Sequence, residues 1–233
     1  MAQAAGLAAA RQEVRLELLA AAAASCRGQC GGPEARDRAL GLVEALEGLN
    51  PTAAPAREAG LLLGDWRLVF ASEDVTRSSP FFWGWRGLLR GVEDPLPLTR
   101  AAFGTESLSE SIFAVTDGIP LKTIGEATQS IEEDRLVNRV AVSVFGVGQT
   151  MMKTTCRIMP ASGDDPGDEL SLVVETTQAS ESSLPFADEA VFPSEAVLGE
   201  SARVAMRITY LDDSLRVARN EVDGQVFVYV RAE

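Results

Sequence analysis

The residues of this chain that could do chemistry are three cysteines, several paired carboxylates and one glycine-containing turn, and the chain has no histidine. Without imidazole, a Ser-His or Cys-His nucleophile pair and a histidine metal ligand are both impossible. The paired acids at 132–133, 164–165 and 212–213 fall in turn-like sequence, which favours hydrated turn residues over general acid–base catalysis. The segment 146–149 lacks the glycine spacing of a dinucleotide-binding loop. The sequence therefore predicts no catalytic residue.

The three cysteines are too few and too irregularly spaced for a disulfide framework, which indicates a reducing or redox-neutral compartment. Cys26 and Cys30 are separated by three residues, whereas zinc and redox motifs usually have two between their thiols. Cys156 falls in strand-like sequence. We therefore expect reduced structural thiols and no metal site.

The charge balance excludes another class of function. The chain has 34 acidic and 21 basic residues and a net charge of −13, which disfavours general nucleic-acid binding because phosphates would be repelled. Residues 158–202 contain no lysine or arginine, a pattern that favours a solvated acidic face over a specific cation site. No run approaches the roughly 18 apolar residues that a membrane-spanning helix needs. The N-terminus lacks the features of a secretory signal, so we expect any targeting peptide to have been removed already.

One stretch, residues 80–90, combines aromatic rings with arginines and contains no acidic residue. Aromatics beside arginines are typical of a lipid interface, where rings lie at headgroup depth and guanidiniums meet phosphates. The other interpretation is a lid that packs on the mouth of the fold. The candidate docking residues are Phe81, Phe82, Trp83, Trp85, Arg86 and Arg90.

The secondary structure predicted for this chain changes from helices in the first 50 residues to strands in the remainder. The first 50 residues predict two helices: one over 8–25 and one that begins near Pro33 and is stopped by Asn50-Pro51. From residue 61 onward the apolar period falls from about 3.6 to 2, which indicates strands with one face against a core. The strand candidates are 64–71, 111–115, 122–131, 136–145, 151–158, 170–176, 203–210, 214–219 and 225–231.

No helix-length pattern separates these strands, so an antiparallel meander is favoured over βαβ units. Closing the sheet into a barrel would remove its unpaired edges. Gly64-Asp65-Trp66 at the start of the first strand, with Arg216 and Arg219 near the last strands, is similar to the lipocalin arrangement, in which a tryptophan closes the barrel bottom under an arginine. We therefore expect Trp66 to be buried and to pack on Arg216 or Arg219.

A wider resemblance rests on Asn50-Pro51-Thr52, on 62–69, and on a C-terminal block comprising 208–219 and 226–229. These residues, with Phe81-Phe82-Trp83 and 151–155, resemble the plastid lipid-associated protein (fibrillin) family over roughly residues 35–231. The resemblance implies a mainly β fold: a lipocalin-like antiparallel β-barrel of about 8–9 strands preceded by two N-terminal α-helices. It implies a helical segment over 1–50 packed on a barrel domain over 51–233.

The family resemblance also implies a function without a known active site. Its members resemble carriers or coat proteins of plastid lipids on plastoglobules and thylakoids, with carotenoids, quinones or fatty acids as bound molecules. We therefore expect a non-catalytic plastid protein, peripheral to a thylakoid or plastoglobule surface, that binds an apolar metabolite or docks on lipid. The candidate lining residues are Val140, Val142, Val144, Met152, Cys156, Val204, Met206, Ile208 and Tyr210.

Three alternatives stay open at this point. The lining residues equally fit a filled core. The chain could be a structural or assembly subunit of a photosynthetic pigment–protein complex, with photosystem or light-harvesting proteins as partners. A lipocalin-like isomerase or epoxidase would need an acid or a tyrosine in the cavity, for which Tyr210 is the candidate.

Overall fold

A computed structural model describes residues 2–89, 92, 122–144, 148–160, 166–183, 188 and 191–232. The predicted strand 111–115, the candidate docking residue Arg90 and the side chain of the candidate lining residue Val144 lie outside the described residues.

Two long helices open the chain, close to where the apolar pattern predicts them. Helix α1 spans Ala2–Ala24 and helix α2 spans Gly32–Glu47, with a proline in its first turn. The turn between them needs glycine at position 28. Gly28 has φ of 85°, and a Cβ there would lie 2.2 Å from the carbonyl oxygen of Ala71. This turn therefore holds the helix pair against the first strand.

The other helical segments are short and were not predicted. They are a 3₁₀ turn at Pro55–Arg57, α3 at Ala59–Leu62, a 3₁₀ turn at Val75–Ser78, α4 at Pro80–Leu88, α5 at Ser194–Leu198 and a 3₁₀ turn at Gly199–Ala202. Helix α4 has only nine residues, which is shorter than the window in which a helical apolar period can be recognised in sequence. Within the described residues, no helix combines the length and the hydropathy needed to cross a membrane.

Nine strands lie within the described residues: β1 Gly64–Ala71, β2 Lys122–Ile131, β3 Arg135–Val144, β4 Gly148–Ile158, β5 Glu169–Ser180, β6 Val191–Phe192, β7 Arg203–Leu211, β8 Leu215–Asn220 and β9 Val226–Arg231. They form one antiparallel sheet in the order β4-β3-β2-β1-β9-β8-β7-β5-β6, and an additional β4–β5 pairing closes the sheet into a ring. The two-residue strand β6 attaches to β5 outside this ring. The mainly β, antiparallel prediction with N-terminal helices is confirmed.

The core consists of two clusters, one on each face of the ring. The interior cluster includes Trp66, Val140 and Phe227, whereas the outer cluster places Val43 of α2 against Val228 and other residues of β1 and β7–β9. Because both faces of β9 are buried, its side chains are apolar without interruption through Val230. Helices α1 and α2 thus cover one side of the ring, and the interior cluster is formed by the strands together with Leu62, Val75 and Trp83.

The Asn50-Pro51-Thr52 segment anchors the end of the helical region to β7. The Asn50 amide donates to the Thr209 carbonyl oxygen at 3.1 Å and accepts from the Leu211 amide at 3.2 Å. Thr52 Oγ1 donates to the Leu211 carbonyl oxygen at 2.6 Å. These bonds satisfy backbone groups where the pairing register between β7 and β8 shifts.

Asp212, in the turn between β7 and β8, carries a first testable prediction. Burial acts to raise the pKa of its carboxyl, but hydrogen bonds from the Tyr210 hydroxyl at 2.7 Å and from the amides and hydroxyl of the turn lower the pKa overall. A carboxyl whose pKa is lower in the folded state stabilises the fold above its unfolded pKa, and this stability is lost as pH falls through the folded pKa. We expect Asp212→Asn to cost roughly 1–3 kcal/mol at neutral pH and less in acid, measured by urea unfolding.

Asp213→Asn is the matched control, because Asp213 is exposed at the next position. We expect its free energy of unfolding to change by less than about 0.5 kcal/mol. Equal losses in the two variants, or a loss for Asp212→Asn that does not shrink in acid, would contradict the assignment.

Candidate functional site

A tryptophan with two arginines closes one end of the ring. Trp66 is fully buried, and its indole Nε1 donates to the Leu62 carbonyl oxygen at 2.8 Å. The guanidinium carbon of Arg216 lies 5.0 Å from the centre of the indole ring, and that of Arg231 lies 4.4 Å from it. The structure thus brings Trp66 and Arg216 together, as the motif predicts. Arg231 was missed, although the β1–β9 register places it directly opposite Trp66.

Arg219, the other arginine considered for this position, lies on the outside of the ring. Its Nε and Nη2 donate to the two carboxylate oxygens of Glu47 at 2.8 and 2.9 Å, which ties β8 to α2. Arg219 lies three positions after Arg216, an odd offset, so strand alternation sends the two side chains to opposite faces. Arg219 is therefore a helix-to-sheet contact.

The two arginines near Trp66 differ in how their N–H groups are satisfied. Arg231 donates to the carbonyl oxygens of Leu63 at 3.0 Å, Asp213 at 2.8 Å and Leu61. Arg216 is fully buried and donates through Nη2 to Gln129 Oε1 at 2.5 Å, but its Nε and Nη1 have no hydrogen-bond partner among the described residues. Burial lowers the pKa of Arg216 to about 10; Tyr229 opposes this effect and the charge of Arg231 adds to it.

A row of polar side chains crosses the inside of the ring at this level. Gln129, Asn138, Thr154 and Thr177, here called the polar row, face one another in register on β2, β3, β4 and β5, and all are buried. The Gln129 amide donates to Asn138 Oδ1 at 3.1 Å, and the hydroxyls of Thr154 and Thr177 are 3.1 Å apart. Sequence reasoning missed the row. The sequence pattern that could have revealed this row is one polar residue at an inward-facing position of each of four consecutive strands.

Most of the predicted lining residues lie together in the interior cluster. Val140, Cys156, Val204, Met206 and Ile208 are buried there, and Val142 and Met152 are partly buried against it. Burial raises the pKa of the Cys156 thiol, which keeps it protonated and unreactive.

Tyr210 departs from this group. The register of β7 against β8 shifts between Ile208 and Tyr210, so the bulge turns Tyr210 away from the interior and into the outer cluster. Its hydroxyl donates to Asp212 Oδ2 at 2.7 Å. Tyr210 therefore does not face the interior cluster, and the catalytic role considered for it has no geometric basis. The tyrosine that reaches the interior cluster is Tyr229.

The segment from Val75 to Gly84 enters the opposite end of the ring. Trp83 is buried, its Nε1 donates to the Arg77 carbonyl oxygen at 2.6 Å, and its ring stacks on Phe227 with centroids 5.8 Å apart. The preceding residues reach the polar row, because Ser79 Oγ lies 2.8 Å from Thr154 Oγ1. A Cβ at Gly84 would lie 2.8 Å from the Ser201 carbonyl oxygen, so glycine allows this close approach. Trp83 thus has the position of a lid residue.

The remaining aromatic residues of α4 lie at the surface with residues of β6 and α5. Phe81 and Trp85 contact Phe192, with ring centroids 5.5 and 6.1 Å apart. Leu88, Val191 and Val197 are 40%, 53% and 50% exposed. We call the following set the apolar patch: Phe81, Phe82, Trp85, Leu88, Val191, Phe192 and Val197.

Arg86 does not provide the uncompensated positive charge that the sequence suggests. It forms ion pairs with Glu73 at 3.4 Å and with Asp223, from the segment after β1 and the turn between β8 and β9. No acidic residue is near Arg86 in the chain, but the fold brings two to it. The described part of the candidate docking surface is therefore apolar rather than basic.

Comparison with known proteins finds sequence relatives of this chain. The PAP_fibrillin family model matches residues 12–84. A plastid-lipid-associated protein of Citrus unshiu is 29% identical over 217 residues, and a chloroplastic light-induced protein of Solanum tuberosum is 28% identical over 220 residues; each alignment covers 88% of this chain and 63% of the relative. A chromoplast-specific carotenoid-associated protein of an Oncidium hybrid is 26% identical over 216 residues, 88% of this chain and 64% of the relative.

The resemblance to the plastid lipid-associated protein (fibrillin) family is thereby confirmed, and each of these relatives is named as a chloroplastic or chromoplastic protein. The chain spans about 63% of the length of the curated relatives that it matches.

Proposed function

We propose that this relative of the plastid lipid-associated proteins is a non-catalytic, lipocalin-like barrel that docks on a thylakoid or plastoglobule surface and holds one apolar metabolite. Residues 1–50 form its helical segment, packed on a barrel domain over 51–233. The docking surface is the apolar patch around α4. The observation that carries the proposal is the convergence of exposed apolar side chains from two separate segments of the chain, 81–88 and 191–197, at the end of the ring that α4 covers.

The composition of the patch suits a lipid surface. Leu88, Val191 and Val197 account for half of the six large hydrophobic side chains that are exposed among the described residues. Beside them, the half-buried rings of Phe81, Phe82 and Trp85 have the amphipathic or apolar character found at membrane interfaces. Such a contiguous exposed patch is typical of an interaction site.

Charge contributes little to the docking that we propose. Arg86 is neutralised by two carboxylates, and the chain as a whole is strongly acidic. Anionic headgroups would therefore repel most of the surface, and attraction must come from burying apolar area at about 25 cal/mol per Å². We expect binding to neutral lipid at least as strong as binding to anionic lipid.

The interior supplies the second half of the proposal. Trp66 and its arginines close one end of the ring, while Ile124, Val142 and Met152 are only partly buried in the interior cluster. A single elongated carotenoid, quinone or fatty acid would lie along these side chains and would enter past the lid at α4. An eight-stranded ring is just wide enough for side chains or for one such ligand.

A second candidate is a structural or assembly subunit of a photosynthetic pigment–protein complex. Leu7 and Leu16 on α1 are 50% and 57% exposed, away from the apolar patch, and exposed leucines on a long helix favour contact with another protein. In this case photosystem or light-harvesting proteins would cover both surfaces.

Vesicle flotation tests the docking. We expect the full chain to float with neutral phosphatidylcholine vesicles, and the triple variant Leu88→Ser, Val191→Ser, Val197→Ser to lose roughly tenfold or more in bound fraction. All three residues are exposed, so the variant should fold normally, which circular dichroism checks.

The matched control is Leu7→Ser with Leu16→Ser, which removes equally exposed leucines from α1. Flotation of the triple variant at the level of the unaltered chain, or an equal loss in the control, would reject the patch. Absence of vesicle binding together with patch-dependent sedimentation with thylakoid complexes would favour the structural subunit.

A further inference from the structure

We propose that Arg216 binds the carboxylate of a long-chain amphiphile whose tail lies in the interior cluster. The inference rests on the interior half of the proposed function and specifies the chemical class of ligand.

The Arg216 guanidinium lies between two aromatic rings, and part of its edge lacks hydrogen-bond partners among the described residues. The Tyr229 ring centre lies 4.3 Å and the Trp66 ring centre 5.0 Å from its central carbon. Among the described residues only Gln129 accepts a hydrogen bond from it, so four of its five N–H bonds, one on Nε, two on Nη1 and one on Nη2, have no acceptor. A buried cation in this state requires an acceptor that the described residues do not supply.

The groups around Arg216 lack acceptors in the same way. The amide of Gln129 donates to Asn138 Oδ1 and to the Ser78 carbonyl oxygen, while Asn138 Nδ2 and Ser78 Oγ have no hydrogen-bond partner. The buried polar residues of the described chain include no aspartate or glutamate. The site is thus rich in donors and positively charged, inside a protein of net charge −13. It matches an anionic oxygen ligand better than a neutral one.

Closure of the end of the sheet does not by itself explain why a buried arginine is present at position 216. Arg231 lies over the same tryptophan, and three carbonyl oxygens accept its N–H groups. A purely structural guanidinium would be satisfied in this way, and replacing an unsatisfied buried charge by an apolar side chain is often neutral or stabilising. Both arginines contact the indole of Trp66, but only Arg231 has its N–H groups satisfied by the described residues. We therefore infer that Arg231 closes the end of the sheet and that the unpaired N–H groups of Arg216 are available to a ligand.

The surroundings determine the rest of the ligand. Beyond the polar row, the interior is lined by aliphatic side chains such as Val140, Met206 and Ile208, which accept a hydrocarbon tail and no second polar group. An inorganic anion would make no favourable contact with these aliphatic side chains. A carboxylate joined to an alkyl chain would satisfy both the unpaired N–H groups of Arg216 and the aliphatic side chains.

The first test uses the unaltered full chain, stripped of lipid, with dodecanoate and dodecan-1-ol at concentrations below micelle formation. We expect dodecanoate to bind at least about tenfold more tightly, because charge-assisted bonds to a buried guanidinium exceed those to a hydroxyl. With carboxyl-¹³C-labelled dodecanoate, we expect the pKa of the bound acid to fall by about one unit or more below that of the free acid, seen as a shifted NMR titration.

Arg216→Met should abolish the preference for the acid over the alcohol, whereas Arg219→Met, on the outer face of the same strand, should keep it. If Arg216→Met does not fold, the ligand pair and the titration on the unaltered chain still decide. Equal binding of acid and alcohol would overturn the carboxylate site and leave interior binding of an apolar metabolite intact. If neither binds, the interior half of the proposed function fails as well, while flotation tests docking separately.

Discussion

Trp66→Ala is expected to lower the free energy of unfolding by about 3–5 kcal/mol, as for other buried aromatic residues. The indole is fully buried in the interior cluster, donates to the Leu62 carbonyl oxygen and lies against two guanidiniums. Removing it would leave a cavity beside two cations and an unsatisfied carbonyl oxygen. Because total stabilities are about 5–15 kcal/mol, a loss of this size would be visible in urea unfolding at neutral pH.

A double-mutant cycle separates packing from the cation–π contact. We expect Trp66→Ala and Arg216→Met to couple by about 0.5–2 kcal/mol, and Trp66→Ala and Arg219→Met to add independently, because Arg219 pairs with Glu47 on the outer face. Coupling to Arg219 in place of Arg216, or a loss below about 1 kcal/mol for Trp66→Ala alone, would contradict this geometry.

Alternation along the strands made much of this fold predictable. It located the ring strands within the described residues and placed Val140, Cys156 and Met206 on one face, because a sheet with a buried side repeats every two residues. Tyr210 shows the limit of that rule. One bulged position in β7 reverses the alternation. The bulge is flanked by hydrogen bonds with Asn50, which donates to Thr209 and accepts from Leu211, and no local pattern contains a residue about 160 positions earlier.

The site was less predictable than the fold, because its contacts join distant parts of the chain. The ion pairs of Arg86 come from Glu73 and Asp223, so a segment that is basic in sequence is neutralised in the structure. The polar row depends on the register of four strands, and register is fixed by pairing rather than by any one strand. Motif similarity identified Trp66 and Arg216 but did not distinguish Arg216 from Arg219.

Trp83→Ala is the second change with a large expected effect. The sequence grouped Trp83 with Phe81, Phe82 and Trp85 as docking residues, but Trp83 alone among them is buried. Its ring stacks on Phe227, and its indole binds the Arg77 carbonyl oxygen. We expect a loss of about 3–5 kcal/mol in the free energy of unfolding, measured by urea denaturation.

Trp85→Ala on the same helix is the matched control, and together the two variants separate the lid from the docking surface. Trp85 is half-buried against Phe192, so its loss should cost less than about 2 kcal/mol in stability but reduce flotation with neutral vesicles. Trp83→Ala, examined well below its unfolding midpoint, should retain flotation because the apolar patch persists. If Trp83→Ala leaves stability unchanged and abolishes flotation, then α4 presents Trp83 to the lipid, and the division of this helix into a buried lid residue and an exposed docking face is wrong. The two outcomes differ because the Trp83 side chain buries its apolar area inside the ring in the first case and in the lipid in the second.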